Sequence, residues 1–263
     1  MGPPRGLLKH AEGPGQFYHA RIAPAPDVAS LVQHFWIVRW DLRGLESQRP
    51  ETLPHPNVHL VIDRSEALVH GIHTGRFTRE LTGKGGVLGV KFRPGGFRPF
   101  LGGSVSRMRN RTATLASIFD ESSDALCKAV EEAGENDERA IAVVQQFLVR
   151  RWPDADPLVD RVAKIATDIE QDRSVTRVED LLERHAITKR SIQRLFNEYV
   201  GIGPKWVINR YRMHEVVERL NAGGQVDWLA LALELGYFDQ AHFNRDFKAL
   251  IGRSPSEYAA LRR

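Results

Sequence analysis

The stretch "ELGYFDQAHFNRDFKALIGRSPSEY", Glu234 to Tyr258, decides how the second half of the chain is read. Phe243, Phe247 and Leu250 recur at helical spacing and call for burial on one side. Gln240, Ala241, His242, Asn244 and Arg245 crowd about a turn and a half of the same helix. Gly236 stands in mid-pattern, where a left-handed residue lets one helix turn sharply into the next.

Sliding the chain against itself by 51 residues sets Phe196 on Phe247, Arg194 on Arg245, Ile192 on Phe243, Gly201 on Gly252 and Pro204 on Pro255. Leu182 falls on Leu233 and Val178 on Leu229. A helix–turn–helix unit therefore occurs twice, each copy closing in Gly-x-x-Pro. Two copies are too few for a solenoid and indicate a duplicated module. In the first copy Ile192, Leu195, Phe196 and Tyr199 form the apolar stripe, and Arg190, Gln193, Arg194 and Asn197 form the opposite one. Guanidinium and amide groups can bond base edges bidentately in a major groove. Between Ala186 and His214 stand Lys189, Arg190, Arg194, Lys205, Arg210 and Arg212 against Glu198 alone, a local excess greater than the net charge of +4. The helix expected from Pro204 to about Leu220 spans roughly 25 Å. With a turn at each end it would set the two units about one turn of B-DNA apart, near 34 Å.

Working backwards, Asp239 to Ile251, Asp227 to Leu235, Lys189 to Tyr199 and "PLVDRVAKIATDIEQD" from Pro157 all read as helices, and a short one starts at Ser254. Thr176 and Glu179 have the spacing of a capping box for "RVEDLLERH". "RRWPDADP", Arg150 to Pro157, reads as a linker. Ahead of it, "SSDALCKAVEEAG" and "DERAIAVVQQFLVRRW" are amphipathic helices. From Phe17 to Phe100 the pattern is β-rich: "SLVQHFWIVRWDL", "NVHLVID" and "GGVLGVKF". The fold class is thus α+β: a small β-barrel or sandwich with helices over 1–152, a linker over 153–157, and an all-α domain over 158–263 of two helix–turn–helix units joined by a long helix.

"LALELGYFDQAHFNRDFKALIGRSPSEYAALR" closely resembles the signature of AraC/XylS-type transcription regulators, and "LLERHAITKRSIQRLFNEYVGIGPKWVINRYRMHEVVERL" resembles that family's first unit. The resemblance covers roughly Pro157 to Arg263. It implies double-stranded DNA as partner, with Lys189, Arg190, Gln193 and Arg194 contacting it from the first unit and Gln240, Ala241, His242 and Arg245 from the second. It further implies RNA polymerase, a small-molecule effector and a homodimer as partners of the whole protein. Ala186 stands where the family often has glycine, so a less tight first turn is expected. Ala241 offers only a methyl, so reading there would be apolar. "GVLGVKFRPGGFRPFLGG" looks more loosely like the input region of some of these regulators.

The remaining features exclude more than they assign. Hydrophobic content of 42% and charged content of 27% suit a globular chain. No apolar run approaches the ~18 residues of a membrane span. The N-terminus has no apolar region of a secretory signal, and Cys127, the single cysteine, allows no internal disulfide. A cytoplasmic protein without membrane partner is expected. "GKGG" at Gly83 to Gly86 lacks the ending of a phosphate loop and reads as a hairpin turn. Arg107, Arg109 and Arg111 read as a solvated face. Trp36 and Trp40 share strand parity and are candidates to line an effector pocket, with barrel core as the plainer reading. His55 and His59 leave open a rival class, a metal-dependent cupin-like barrel enzyme with an accessory helical domain. They lack the His-x-His pair of such sites, so neither metal nor cofactor is assigned.

Overall fold

A computed structural model describes residues 7–9, 15–221 and 227–260. Residues 1–6 and 10–14, on which the reading of the N-terminus partly depends, lie outside the described residues. The β-strands are β1 (Leu7–Lys9), β2 (Gln16–Ile22), β3 (Val32–Leu42), β4 (Glu51–Thr52), β5 (His59–Ile62), β6 (Ala67–His70), β7 (Phe77–Thr78), β8 (Gly83–Phe92) and β9 (Thr112–Thr114). They form two antiparallel sheets, of order β2-β3-β8-β5-β6-β9 and β1-β4-β7. Short helices α1 (Arg98–Leu101) and α2 (Leu115–Phe119) and the pair α3 (Asp124–Glu132) and α4 (Asp137–Val149) complete this half. The second half is wholly helical: α5 (Pro157–Gln171), α6 (Val178–Arg184), α7 (Lys189–Tyr199), α8 (Pro204–Asn221), α9 (Trp228–Glu234), α10 (Gln240–Ile251) and α11 (Pro255–Ala260).

Gly83 to Gly86 are not a turn. They are the first residues of β8, paired across to β3 with Gly85 opposite Trp40 and Gly89 opposite Trp36. A Cβ at Gly85 would meet the Trp40 ring at 2.3 Å, and one at Gly89 the Trp36 ring at 1.9 Å. The glycines are there because two indoles lie flat across the strand. Both indoles point away from the side of β3 that carries Phe35 and Ile37 into the main core; Trp40 packs instead with Leu42, Leu81 and Val87.

One core runs from the large sheet through α4 and α5 into the first helix–turn–helix unit. Phe35, Leu60, Val90 and Phe92 share it with Val144, Phe147, Val162, Ile165, Ile192 and Phe196. The segment between α4 and α5 is pinned to that body. Trp152 meets Phe100 edge-on, and Asp156 caps α5 at Leu158 N while accepting the Tyr199 hydroxyl at 2.7 Å. Burial and that bond push the Tyr199 phenol up to about 12. Arg109, expected on a solvated face, donates twice to the Gly201 carbonyl at 3.1 and 2.9 Å and ties the first half to the end of α7.

The second unit closes a separate core: Met213, Val216 and Leu220 of α8 with Leu231, Phe243, Phe247 and Tyr258, joined by Leu8 and Leu53. Helix α8 is buried nearly all round, which suits a spine between two units and two sheets.

The capping residues of α6 differ from expectation. Asp180, not Glu179, closes the turn, accepting from Arg177 N at 2.9 Å and Thr176 N at 3.0 Å. Glu179 points out and pairs with Lys189 at 3.2 Å. The repeat register also changes. The second helices lie 51 residues apart, but α6 and α9 lie 50 apart, with equivalent closing bonds Ile187 N to Leu182 O and Tyr237 N to Ala232 O. Leu229 and Leu233, set on Val178 and Leu182 by the longer offset, are exposed; Leu231 and Ala232 are buried.

At the shared turn position Ala186 has φ +46° and Gly236 φ +79°. The first turn is therefore as sharp as the second, built with a side chain in the left-handed region at a cost of roughly 1–2 kcal/mol. Ala186→Gly is expected to stabilise the protein by about 0.5–1 kcal/mol after glycine's extra chain entropy. Gly236→Ala is expected to destabilise it by at least about 1 kcal/mol, since its Cβ would also meet Thr176 Cβ at 2.7 Å. Opposite shifts of the urea midpoints check both.

Candidate nucleic-acid interface

Helix α7 starts at Thr188, whose hydroxyl accepts from Ser191 N at 3.2 Å. Ile192, Leu195, Phe196 and Tyr199 are buried, so the opposite stripe of Lys189, Arg190, Gln193 and Arg194 faces solvent, with Asn197 beyond it. Arg190, Gln193 and Arg194 have no hydrogen-bond or ion-pair partner among the described residues; Lys189 has Glu179. Charge-bearing donors held out from a rigid helix are what a phosphate backbone or a base edge requires.

Helix α10 repeats the arrangement. Asp239 caps it, accepting from His242 N at 2.7 Å. Phe243 and Phe247 are buried, Gln240 is half-buried, and Ala241, His242 and Arg245 are exposed. His242 is engaged locally: its ring stands edge-on to Tyr237, with centroids 5.1 Å apart, and Nε2 lies 3.7 Å from the Asp246 carboxylate. Gln240 and Arg245 have no such partner among the described residues.

The basic block is smaller than composition suggests. Arg210 and Arg212 are 1% and 3% exposed. Arg210 lies over the Trp206 ring at 4.3 Å and donates to the Thr74 carbonyl; burial lowers its guanidinium to about 9. Arg212 donates to the carbonyls of Ile169 and Asp172. These two hold α8 in place. Of that block Lys189, Arg190, Arg194 and Lys205 remain exposed.

In the first half, Trp40 is buried with its N–H on the Thr82 carbonyl at 3.1 Å, and Trp36 donates to His59 Nδ1 at 3.2 Å. An open cleft of ≈ 550 Å³ lies between the large sheet and α3–α4, bordered by Tyr18, Arg39, Trp40, Arg64, Lys84 and Glu131. Four ionisable residues line up across the strands of the sheet: His34 opposite Lys91, Lys91 opposite His59, His59 opposite His70. His55 stacks on His214 of α8, rings 3.9 Å apart. No group of three or more His, Cys, Asp or Glu residues is placed to hold a metal ion among the described residues.

Burial first, and then Lys91, hold His34 down to about 4; burial first, and then His73, hold His70 at about 4; His55 and His59 are driven well below the usual histidine range by burial. All four are neutral in the fold near pH 7. The unfolded chain binds protons at them near pH 6.5; in the fold His34 and His70 do so only near pH 4, and His55 and His59 are held well below the usual histidine range. Their contribution is therefore complete above pH 6.5 and is lost as pH falls towards 4. Thermal unfolding followed from pH 7.5 to 4.5 should show a falling Tm, about 2–4 °C for each kcal/mol lost. His34→Gln should flatten that slope.

Of the eight candidate residues from the sequence, seven lie exposed on α7 and α10 and Gln240 is half-buried. Sequence reasoning missed Arg109, Arg210 and Arg212 as internal ties, because a charge count does not show which carbonyls lie nearby. It also missed Phe238, the most exposed large apolar side chain among the described residues, at 88%; the one-residue difference between the two offsets was its only signal.

Comparison with known proteins yields two family matches. Residues 181–260 match a helix-turn-helix domain model and residues 20–114 match a domain of unknown function (DUF6597). A protein of Haemophilus influenzae described as an uncharacterized HTH-type transcriptional regulator is 30% identical over 90 residues, 34% of this chain and 30% of that protein. YkgA of Escherichia coli K12, described as a putative regulator of the same type, is 32% identical over 83 residues, 31% of this chain and 34% of its own length. The matched segment thus spans about a third of each relative. Among solved structures, ToxT from Vibrio cholerae O395 overlays with TM-score 0.39 at 13% identity, covering 94% of this chain and 97% of that one.

Proposed function

We propose that this chain, whose residues 181–260 match a helix-turn-helix domain model, is a sequence-specific DNA-binding transcription regulator of the AraC/XylS type. The observation that carries the reading is the duplicated polar surface. Helices α7 and α10 each bury one stripe and hold arginine and glutamine out on the other, at opposite ends of one 18-residue helix about 27 Å long. That length suits two successive major grooves on one side of a duplex.

In this reading Lys189, Arg190, Gln193 and Arg194 act from the first helix and Gln240, Ala241, His242 and Arg245 from the second. The fold over 158–263 binds DNA. Residues 1–152, with 153–157 as the junction, sense an effector or mediate self-association. The effector is a small molecule, RNA polymerase is the downstream partner, and the protein works in the cytoplasm without catalysing a reaction. Ties between the halves outside that junction support signal transfer: a change in the first half would reach α7 through Arg109 and Gly201, and α8 through Thr74 and Arg210.

Selection of duplexes from a random-sequence pool by the full chain tests the function. Enrichment of one motif is expected, with affinity falling by about 10³-fold or more between 50 and 200 mM salt if six or more phosphates are contacted. Recovery of unselected sequence would contradict it.

A further inference from the structure

The residue before a helix N-cap often folds back over the first turn to touch the residue four places into the helix. In the first unit Ile187 precedes the cap Thr188 and is buried, as is Ile192. In the second unit Phe238 precedes the cap Asp239 and stands in solvent. Its place has been taken by Tyr237, which is buried with its ring 5.4 Å from Phe243. The change of offset from 50 to 51 makes Phe238 the added residue of the turn, standing outside the core that Tyr237 enters.

Phe238 stands two residues ahead of Gln240 and three before exposed Ala241. Helix–turn–helix domains place their base contacts at the N-terminal residues of this helix. A phenyl ring neither donates nor accepts a hydrogen bond, and the one apolar group a base pair shows in the major groove is the thymine 5-methyl. We propose that Phe238 is an apolar base reader that packs on a thymine methyl next to the bases met by α10. The proposal rests on the DNA-binding reading above and gives it a specificity-determining residue that hydrogen bonding does not supply.

The test uses the full chain and the duplex it selects from a random pool. Each thymine on the α10 side is replaced in turn by deoxyuridine, which lacks only the methyl. For the wild-type chain, one replacement should weaken binding about fourfold, the worth of one buried methyl-sized group. Phe238→Ser should bind the thymine and deoxyuridine duplexes alike, at or below the weakened affinity, and Phe238→Leu should keep the preference. Because Phe238 is exposed, neither variant should change the circular dichroism spectrum. Wild-type affinity in Phe238→Ser, or a thymine preference that survives in it through Ala241, would overturn the proposal alone. A pool that yields no motif would overturn the DNA-binding reading and this one together.

Discussion

Arg194→Ala combined with Arg245→Ala is expected to lower affinity for the selected duplex by about 2–6 kcal/mol. Each lost bidentate arginine contact is worth about 1–3 kcal/mol of base discrimination. The two residues sit on separate helices with separate cores, so their effects should add. Both are exposed and unpartnered among the described residues, so stability should stay within about 0.5 kcal/mol of wild type. Affinity for a random duplex should fall far less, because phosphate contacts from the remaining cations carry it. Titrating each variant against both duplexes checks this. Equal losses on the two would make the arginines phosphate binders rather than base readers.

Phe196→Ala should destabilise the protein by about 3–5 kcal/mol, the usual cost of emptying a fully buried aromatic site. Phe196 belongs to the same core as Phe35, Val90 and Phe147, so the loss should not be confined to the first helix–turn–helix unit. Urea unfolding followed by tryptophan emission, with Trp36 and Trp40 in the large sheet and Trp206 in α8, should shift as a whole to lower denaturant. Two separate transitions in tryptophan emission, with only one of them shifted, would mean that the two halves fold separately.

What was legible in the sequence was whatever a local rule encodes. The 3.6-residue spacing of Ile192, Phe196, Phe243 and Phe247 located both second helices to within a residue, because each buries one stripe and carries a capping side chain, Thr188 or Asp239. Gly236 was readable as a left-handed turn. What escaped depended on partners distant in sequence. Gly85 looks like a turn residue until Trp40 is laid across it, and the reason for Gly89 within its strand shows only with Trp36 opposite. The tightness of the first turn was hidden because Ala186 does the work of a glycine. The offset of 51 fitted the whole unit because Leu229 and Leu233 are apolar yet exposed, and apolarity alone does not distinguish them from Leu231. The short strands β1, β4 and β7 carry too few residues to show an alternation at all.

Affinity for duplexes with altered spacing bears most directly on two reading helices joined by one rigid spine. Inserting about 5 base pairs between the two halves of the selected motif turns them to opposite sides of the duplex, half a helical turn apart. Affinity should then drop to that of a duplex carrying one half alone, and an insertion of about 10 base pairs should not restore it, since α8 fixes the reach. Unchanged affinity after the insertion of half a turn would mean that only one helix reads DNA.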